Sequence, residues 1–354
     1  IDPLEIAEPK RQLKPIEIPE PHTHDDWSAA VRRVLTHYHC ADQVPAGSRF
    51  DTTVQGRTAV GPFGGKNCRM PTNLYVSAPL RGQRQGVITT VAFNPFYGEI
   101  DPARLARLMV FEAITKAVVA GADYREMALC DNFYTPRVRP EVAWDLKRMV
   151  ETIADLSIEL VVPFISGKDS SSGTMESAGR KIEVPMTLVV ATLGRVPDVN
   201  GIVSKEFKRP GNRLVLVGQF DPAALGGSVY ADSYGQRGDR LFDAYGAASM
   251  RALWDALLRL HAQAAYASGS AIAEGGLLLR LFEASFGSGL GARVDLGAAS
   301  PGRKDGFLFG EFIGSVVLEC SPTADLDALL GEVPHRVIGE VTPEAKLALN
   351  ENGK

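Results

Sequence analysis

Residues 161–173, VVPFISGKDSSSG, set an apolar β-branched run directly against a stretch crowded with Gly, Lys and Ser. Residues 158–165 are nearly all apolar, which predicts a strand buried on both faces, and the polar switch at Ser166 predicts a loop at its C-terminal end. In such a loop Gly167 lets backbone N–H groups approach a ligand, Lys168 brings a mobile positive charge, and Ser170, Ser171 and Ser172 can donate to phosphate oxygens. The guest this suggests is phosphate or a phosphorylated small molecule. A solvated Ser/Gly turn fits the same pattern. The segment is not a P-loop, which needs Gly-x4-Gly-Lys-Ser/Thr. Val162 stands five residues before Gly167 and Asp169 follows Lys168; the Gly65–Lys66 pair fails the same test at Val60.

A chain of 354 residues is expected to form two domains with sizeable cores. Its net charge of −4, without long runs of one sign, argues against nucleic acid and against a membrane surface as partners. Any anion site is therefore local. The four cysteines form no CxxC pair, so neither a zinc ribbon nor a disulfide framework is indicated, and reduced thiols in a cytoplasmic setting fit best. The first residues contain no signal-peptide core, and no apolar run reaches membrane-span length. The chain begins with Ile rather than Met, which suggests a piece of a longer protein.

Residues 1–47 read as a linker and a helix: a Pro-rich, charged tether to about residue 24, then an amphipathic helix from Asp26 to about His37. A first domain is expected over 48–198, with strands near 86–93 and 181–195. Between them lies a helix with Asp101 as N-cap, Pro102 at its first position and Gly121 past its end. Leu105, Leu108, Met109, Glu112 and Lys116 follow its periodicity, so Glu112 faces the core and needs a partner. Lys116 one turn on, a metal ion or a ligand would serve. A second helix is expected over 140–156. The composition changes at PDVNGIVSKEFKRPGN, residues 197–212, and a second α/β domain is expected over 199–354, with helices near 248–267 and 276–285 and strands near 292–296, 313–318 and 335–341.

In ALCDNFYTP, residues 128–136, Asp131 and Asn132 are expected at a turn, where an Asp can cap the turn or hold a ribose or a metal. Glu274 opens an apolar helix, a favourable place for a carboxylate with or without a ligand. His22 with His24, and His37 with His39 and Cys40, lack a second ligand pair at metal-binding spacing. No Ser/His/Asp arrangement can be inferred, since His261 is the only histidine between residues 40 and 334.

Taken in order, FDTTVQG (50–56), AFNPFYGEIDP (92–102), FEAITKAVVAGAD (111–123), ALCDNF (128–133), ISGKDS (165–170), LGGSVY (225–230), AEGGLLLRLFEA (273–284) and IGEVT (338–342) resemble the C-terminal half of the phosphoribosylformylglycinamidine synthase family. The resemblance implies an α/β (α+β) aminoimidazole-ribonucleotide-synthase-like module, whose A domain forms half of a shared β-barrel and is followed by an α/β B domain. It implies ATP-dependent conversion of formylglycinamide ribonucleotide to the amidine, with ammonia derived from glutamine, in purine biosynthesis. Expected partners are the N-terminal synthase half, which holds the family's catalytic histidine, a glutaminase domain or subunit, and a second module meeting the A domain, in a homodimer if the chain stands alone. No catalytic residue is expected in this chain, and the chain alone is expected to be inactive.

The same resemblance implies that Asp131, Gly167 and Lys168 contact ATP or ADP and that Ser170 contacts the substrate. Glu112 and Glu274 persist from a Mg²⁺-bearing nucleotide site of the family's large form. There Asn73 replaces an acid, Lys116 replaces an Asn, and the family's HDxSEGG is Ser270-Ala271-Ile272-Ala273-Glu274-Gly275-Gly276, which puts Mg²⁺ in doubt. These exchanges suggest that Lys116 and Lys168 together supply charge to one phosphate site where relatives use a metal. Two other readings stay open: a diverged homodimeric ATP enzyme of the selenophosphate-synthase or thiamine-phosphate-kinase kind, and a non-catalytic scaffold.

Overall fold

The structure is a computed structural model that describes residues 6–53, 56–299 and 302–350. Val54 and Gln55 of the FDTTVQG motif and the two chain ends lie outside the described residues. The chain builds two six-stranded sheets. The first runs Thr58–Val60, Tyr75–Ser77, Gly86–Ala92, Thr187–Val196, Met127–Tyr134, Phe164–Ser170. Its neighbours are antiparallel except the last two, which are parallel because the Pro140–Leu160 helix crosses over between them. The second sheet runs Tyr266–Ala271, Val316–Cys320, Arg213–Val217, His335–Thr342, Gly291–Asp295, Leu347–Asn350 and is also antiparallel up to a final parallel pair.

The Pro102–Val119 helix joins the two halves. Asp101 caps it by accepting from the Arg104 N–H at 3.1 Å, Pro102 opens it, and 15 of its 18 residues are buried. It packs on strands Gly86–Ala92 and Thr187–Val196 of the first sheet, on the Pro140–Leu160 and Ala247–Ala262 helices, and on strand Tyr266–Ala271 of the second sheet. Several of its polar groups have partners on neighbouring elements. Thr115 Oγ1 donates to Phe111 O at 2.7 Å and accepts from Trp254 Nε1 at 2.9 Å, and Tyr266 donates to Val119 O at 2.9 Å. Gly121 ends the helix at φ 102, and a side chain there would also press into the His261 ring.

Several expectations change. Residues 158–165 are not a buried strand. The helix keeps its apolar stripe of Met149, Ile153, Leu156 and Leu160 to the end, and Val161 then turns the chain at φ 57. The strand begins at Phe164, and the expected loop at 166–170 is its continuation. It is an edge strand without a cover, so Ile165 is 60% exposed. Asp131 and Asn132 likewise sit inside a strand rather than at a turn. The strand expected over 181–195 is two pieces, Arg180–Glu183 and Thr187–Val196, broken around Pro185. The helix expected to reach 267 stops at Ala262, and the strand expected from 313 starts at Val316.

The N-terminal segment is extended, as a Pro-rich stretch should be, but docked rather than free. Arg11 meets Asp145 at 2.6 Å, the Glu17 N–H donates to Gln236 at 2.8 Å, Ile18 is buried, and Arg303 donates to Ile18 O at 2.8 Å.

Replacing Thr115 with Val deletes the hydroxyl that accepts from the buried Trp254 N–H. We expect Thr115→Val to cost about 1–3 kcal/mol, read as a lower urea midpoint at unchanged slope; an unchanged midpoint would mean that the indole is satisfied elsewhere.

Candidate functional site

The parallel pair of strands places Asp131 opposite Gly167 and Asn132 opposite Lys168. The first two lie on the same face as Leu129 and Phe133, both buried. Burial raises the Asp131 pKa, against the lowering effect of the Lys168 backbone N–H that the carboxylate accepts. A Cβ at Gly167 would stand 2.4 Å from Asp131 Oδ1, so any other residue there would push the carboxylate from its place. On the open face, Lys168 Nζ donates to Ser170 Oγ at 2.7 Å and Ser170 Oγ donates to Asn132 Oδ1 at 3.1 Å. Asp131, Gly167, Lys168 and Ser170 thus come together on two neighbouring strands, split between the two faces.

Glu112 and Glu274 belong to a different place. A pocket of about 400 Å³ opens beside the Pro102–Val119 helix, with Lys116, Glu274, Arg280, Glu283, His39 and Phe93 among its walls. Lys116 Nζ lies 2.5 Å from Glu112 Oε1 and donates to Val91 O at 2.9 Å. Arg280 Nη2 donates to Glu274 O at 3.2 Å and stands 3.3 Å from Glu283, which also receives Lys205 Nζ at 2.8 Å. Among the described residues Arg280 Nε and Nη1 are buried without a hydrogen-bond partner, and Glu112 Oε1 is held by the Lys116 ammonium alone.

The shifts follow from this arrangement. Burial pushes the Glu112 carboxyl up to about 7 against the pull of Lys116. Burial also works against the Glu274 carboxylate, but Lys116 and Arg280 outweigh it and hold it below the usual range. For Lys116, burial is outweighed by Glu112 and Glu274, so the ammonium is held above its ordinary value. Lys205 falls to about 8, with burial prevailing over its Glu283 partner.

These residues do not fit a Mg²⁺ ion. A cation already faces the Glu112 and Glu274 carboxylates, and among the described residues no three His, Cys, Asp or Glu side chains gather as metal ligands. His37 Nε2 is instead taken by Asp232 at 2.7 Å, and His39 stacks on Phe96 at 5.0 Å between centroids. Nor do the two lysines share a site. Lys168 is not part of this pocket, and three inter-strand steps, about 14 Å, separate its strand from that of Val91.

Arg280 and Glu283 lie within AEGGLLLRLFEA and Lys205 within residues 197–212, but none of the three is singled out there as a site residue. The available signal was Arg280 itself, a lone charge inside the apolar run LLLRLF, which predicts a buried cation in need of acids.

Residues 209–351, which hold the second sheet, match the family described as "AIR synthase related protein, C-terminal domain". The chain is a relative of phosphoribosylformylglycinamidine synthase. It is 28% identical to subunit PurL of that enzyme from Deinococcus radiodurans over 354 aligned residues, covering 96% of this chain and 44% of the relative. It therefore spans about half the length of the relatives it matches. Among solved structures, Thermotoga maritima PurL complexed with FGAR superposes with a TM-score of 0.70 at 17% identity, covering 92% of this chain and 51% of that one. The same protein complexed with ATP gives 0.65 at 18% identity, covering 93% and 50%. At these identities the likeness shows the fold.

Because Gly167 answers to Asp131, its substitution has a defined suppressor. Gly167→Ala is expected to lose about 1–3 kcal/mol in chemical denaturation, and adding Asp131→Ser to recover most of it; full additivity of the two changes would reject the contact.

Proposed function

We propose that this chain is the C-terminal synthase-like module of a phosphoribosylformylglycinamidine synthase, with its A domain over 48–198 and its B domain over 199–354. In the whole enzyme the formamide oxygen of formylglycinamide ribonucleotide is phosphorylated by ATP, and ammonia derived from glutamine then displaces the phosphate to give the amidine. Phosphorylation makes a poor leaving group into a good one, so the protein's part is positioning and charge neutralisation. The observation that carries this reading is that Asp131, Gly167, Lys168 and Ser170 lie side by side at the edge of the sheet on adjacent parallel strands, within a chain that is similar to PurL along nearly its whole length.

In this reading Asp131 accepts hydroxyl or amino hydrogens of the nucleotide, Gly167 leaves room for it, and Lys168 swings from Ser170 to a phosphate, freeing the Ser170 hydroxyl for the substrate. Mg²⁺ has no part at Glu112 and Glu274. Catalytic groups come from the N-terminal half, which would meet this chain across the open face of the first sheet, where Val91, Phe93, Leu193 and Ile165 are exposed. That face suits a second copy too, should the chain work as a homodimer. The setting is the cytoplasm, with a glutaminase domain or subunit as ammonia source. A second reading, a non-catalytic scaffold, is favoured by the internal neutralisation of the Glu112 and Glu274 charges.

Calorimetric titration of ATP and ADP into the purified chain tests the proposal. Micromolar binding that weakens at least tenfold in both Asp131→Ala and Lys168→Ala, with the fold retained, is the expected result. Silence at millimolar nucleotide would favour the scaffold.

A further inference from the structure

The walls of the 400 Å³ pocket and the side chains behind them carry matched charge: Glu112, Glu274 and Glu283 against Lys116, Lys205 and Arg280. The cations are supplied by the chain itself. Lys116 is 7% exposed and Glu112 2%, one helical turn apart, so neither can find a partner in water. Glu274 enters from another element, the start of the Gly276–Ser288 helix, and faces the same ammonium across the pocket.

We infer that Lys116 is a built-in replacement for a divalent cation, which fills the charge of the Glu112 and Glu274 carboxylates from within and makes this pocket metal-independent. A divalent ion needs oxygen ligands in an open shell, and the ammonium both occupies that space and cancels the field that would draw the ion in. The ammonium takes one Glu112 oxygen directly, at 2.5 Å, and its second donation goes to the Val91 carbonyl rather than to a carboxylate, so its place is fixed by the fold and not by the acids alone. A ligand of this pocket accordingly binds without a metal bridge and meets walls of no net charge.

Removing the ammonium should open a metal site. Mn²⁺ is titrated into the full chain and read by the loss of the free-ion electron paramagnetic resonance signal. The wild-type protein is expected to leave Mn²⁺ free up to millimolar concentration, and Lys116→Gln to take up one equivalent at least tenfold more tightly, with a rise in Tm on Mn²⁺ addition. Uptake by the wild type that disappears in Glu274→Gln would overturn the inference, as would a folded Lys116→Gln protein that takes up none. If Lys116→Gln loses its fold without metal, circular dichroism follows the same titration: return of the native spectrum with Mn²⁺ supports the replacement and its failure to return rejects it. Nucleotide is absent throughout, so the outcome is independent of the ATP reading.

Discussion

A carboxylate and an ammonium set one turn apart on a helix with almost no solvent face cannot both be removed from water unless each answers the other. Glu112 and Lys116 meet this condition at the junction of the two sheets, and removing either one would leave an uncompensated buried charge. Lys116 also reaches the wall of the pocket that Glu274, Arg280 and Glu283 line. The electrostatics of the pocket and the cohesion of the two halves are therefore one problem, solved by the same two side chains.

The other candidate site obeys a different constraint. Only one pair of strands in the first sheet is parallel, and it is the pair that the Pro140–Leu160 crossover requires. Parallel alignment puts Asp131 level with Gly167 and Asn132 level with Lys168, so residues separated by the length of a helix become neighbours. The absence of a single methyl group at Gly167 then decides whether the Asp131 carboxylate can stay where it is.

Much of this was readable in the sequence. The Asp101-Pro102 start and Gly121 stop delimit the central helix because capping and left-handed backbone are local chemistry, legible without knowledge of the fold. The ordered motifs led to the right relatives for the same reason. Reading failed where burial depends on what lies alongside. The apolar run 158–165 looks like a covered strand, yet it is the last turn of an amphipathic helix, a left-handed turn and the start of an uncovered edge, and nothing local distinguishes a covered strand from a bare one. Lys116 and Lys168 were assigned to one phosphate because both replace metal-associated residues in a pattern. Strand order, which no spacing reveals, sets them apart.

The Phe164–Ser170 strand closes its sheet with one side of its backbone unpaired. Such an edge is a template for any extended chain that drifts past, and Ile165 and its apolar neighbours would welcome one. The Gly, Lys, Asp and Ser that follow make that docking costly: a charge must be stripped of water and glycine adds no packing in return. The polar half of ISGKDS thus keeps the edge soluble as well as chemically equipped, so a sequence tuned for one of these duties is constrained by the other.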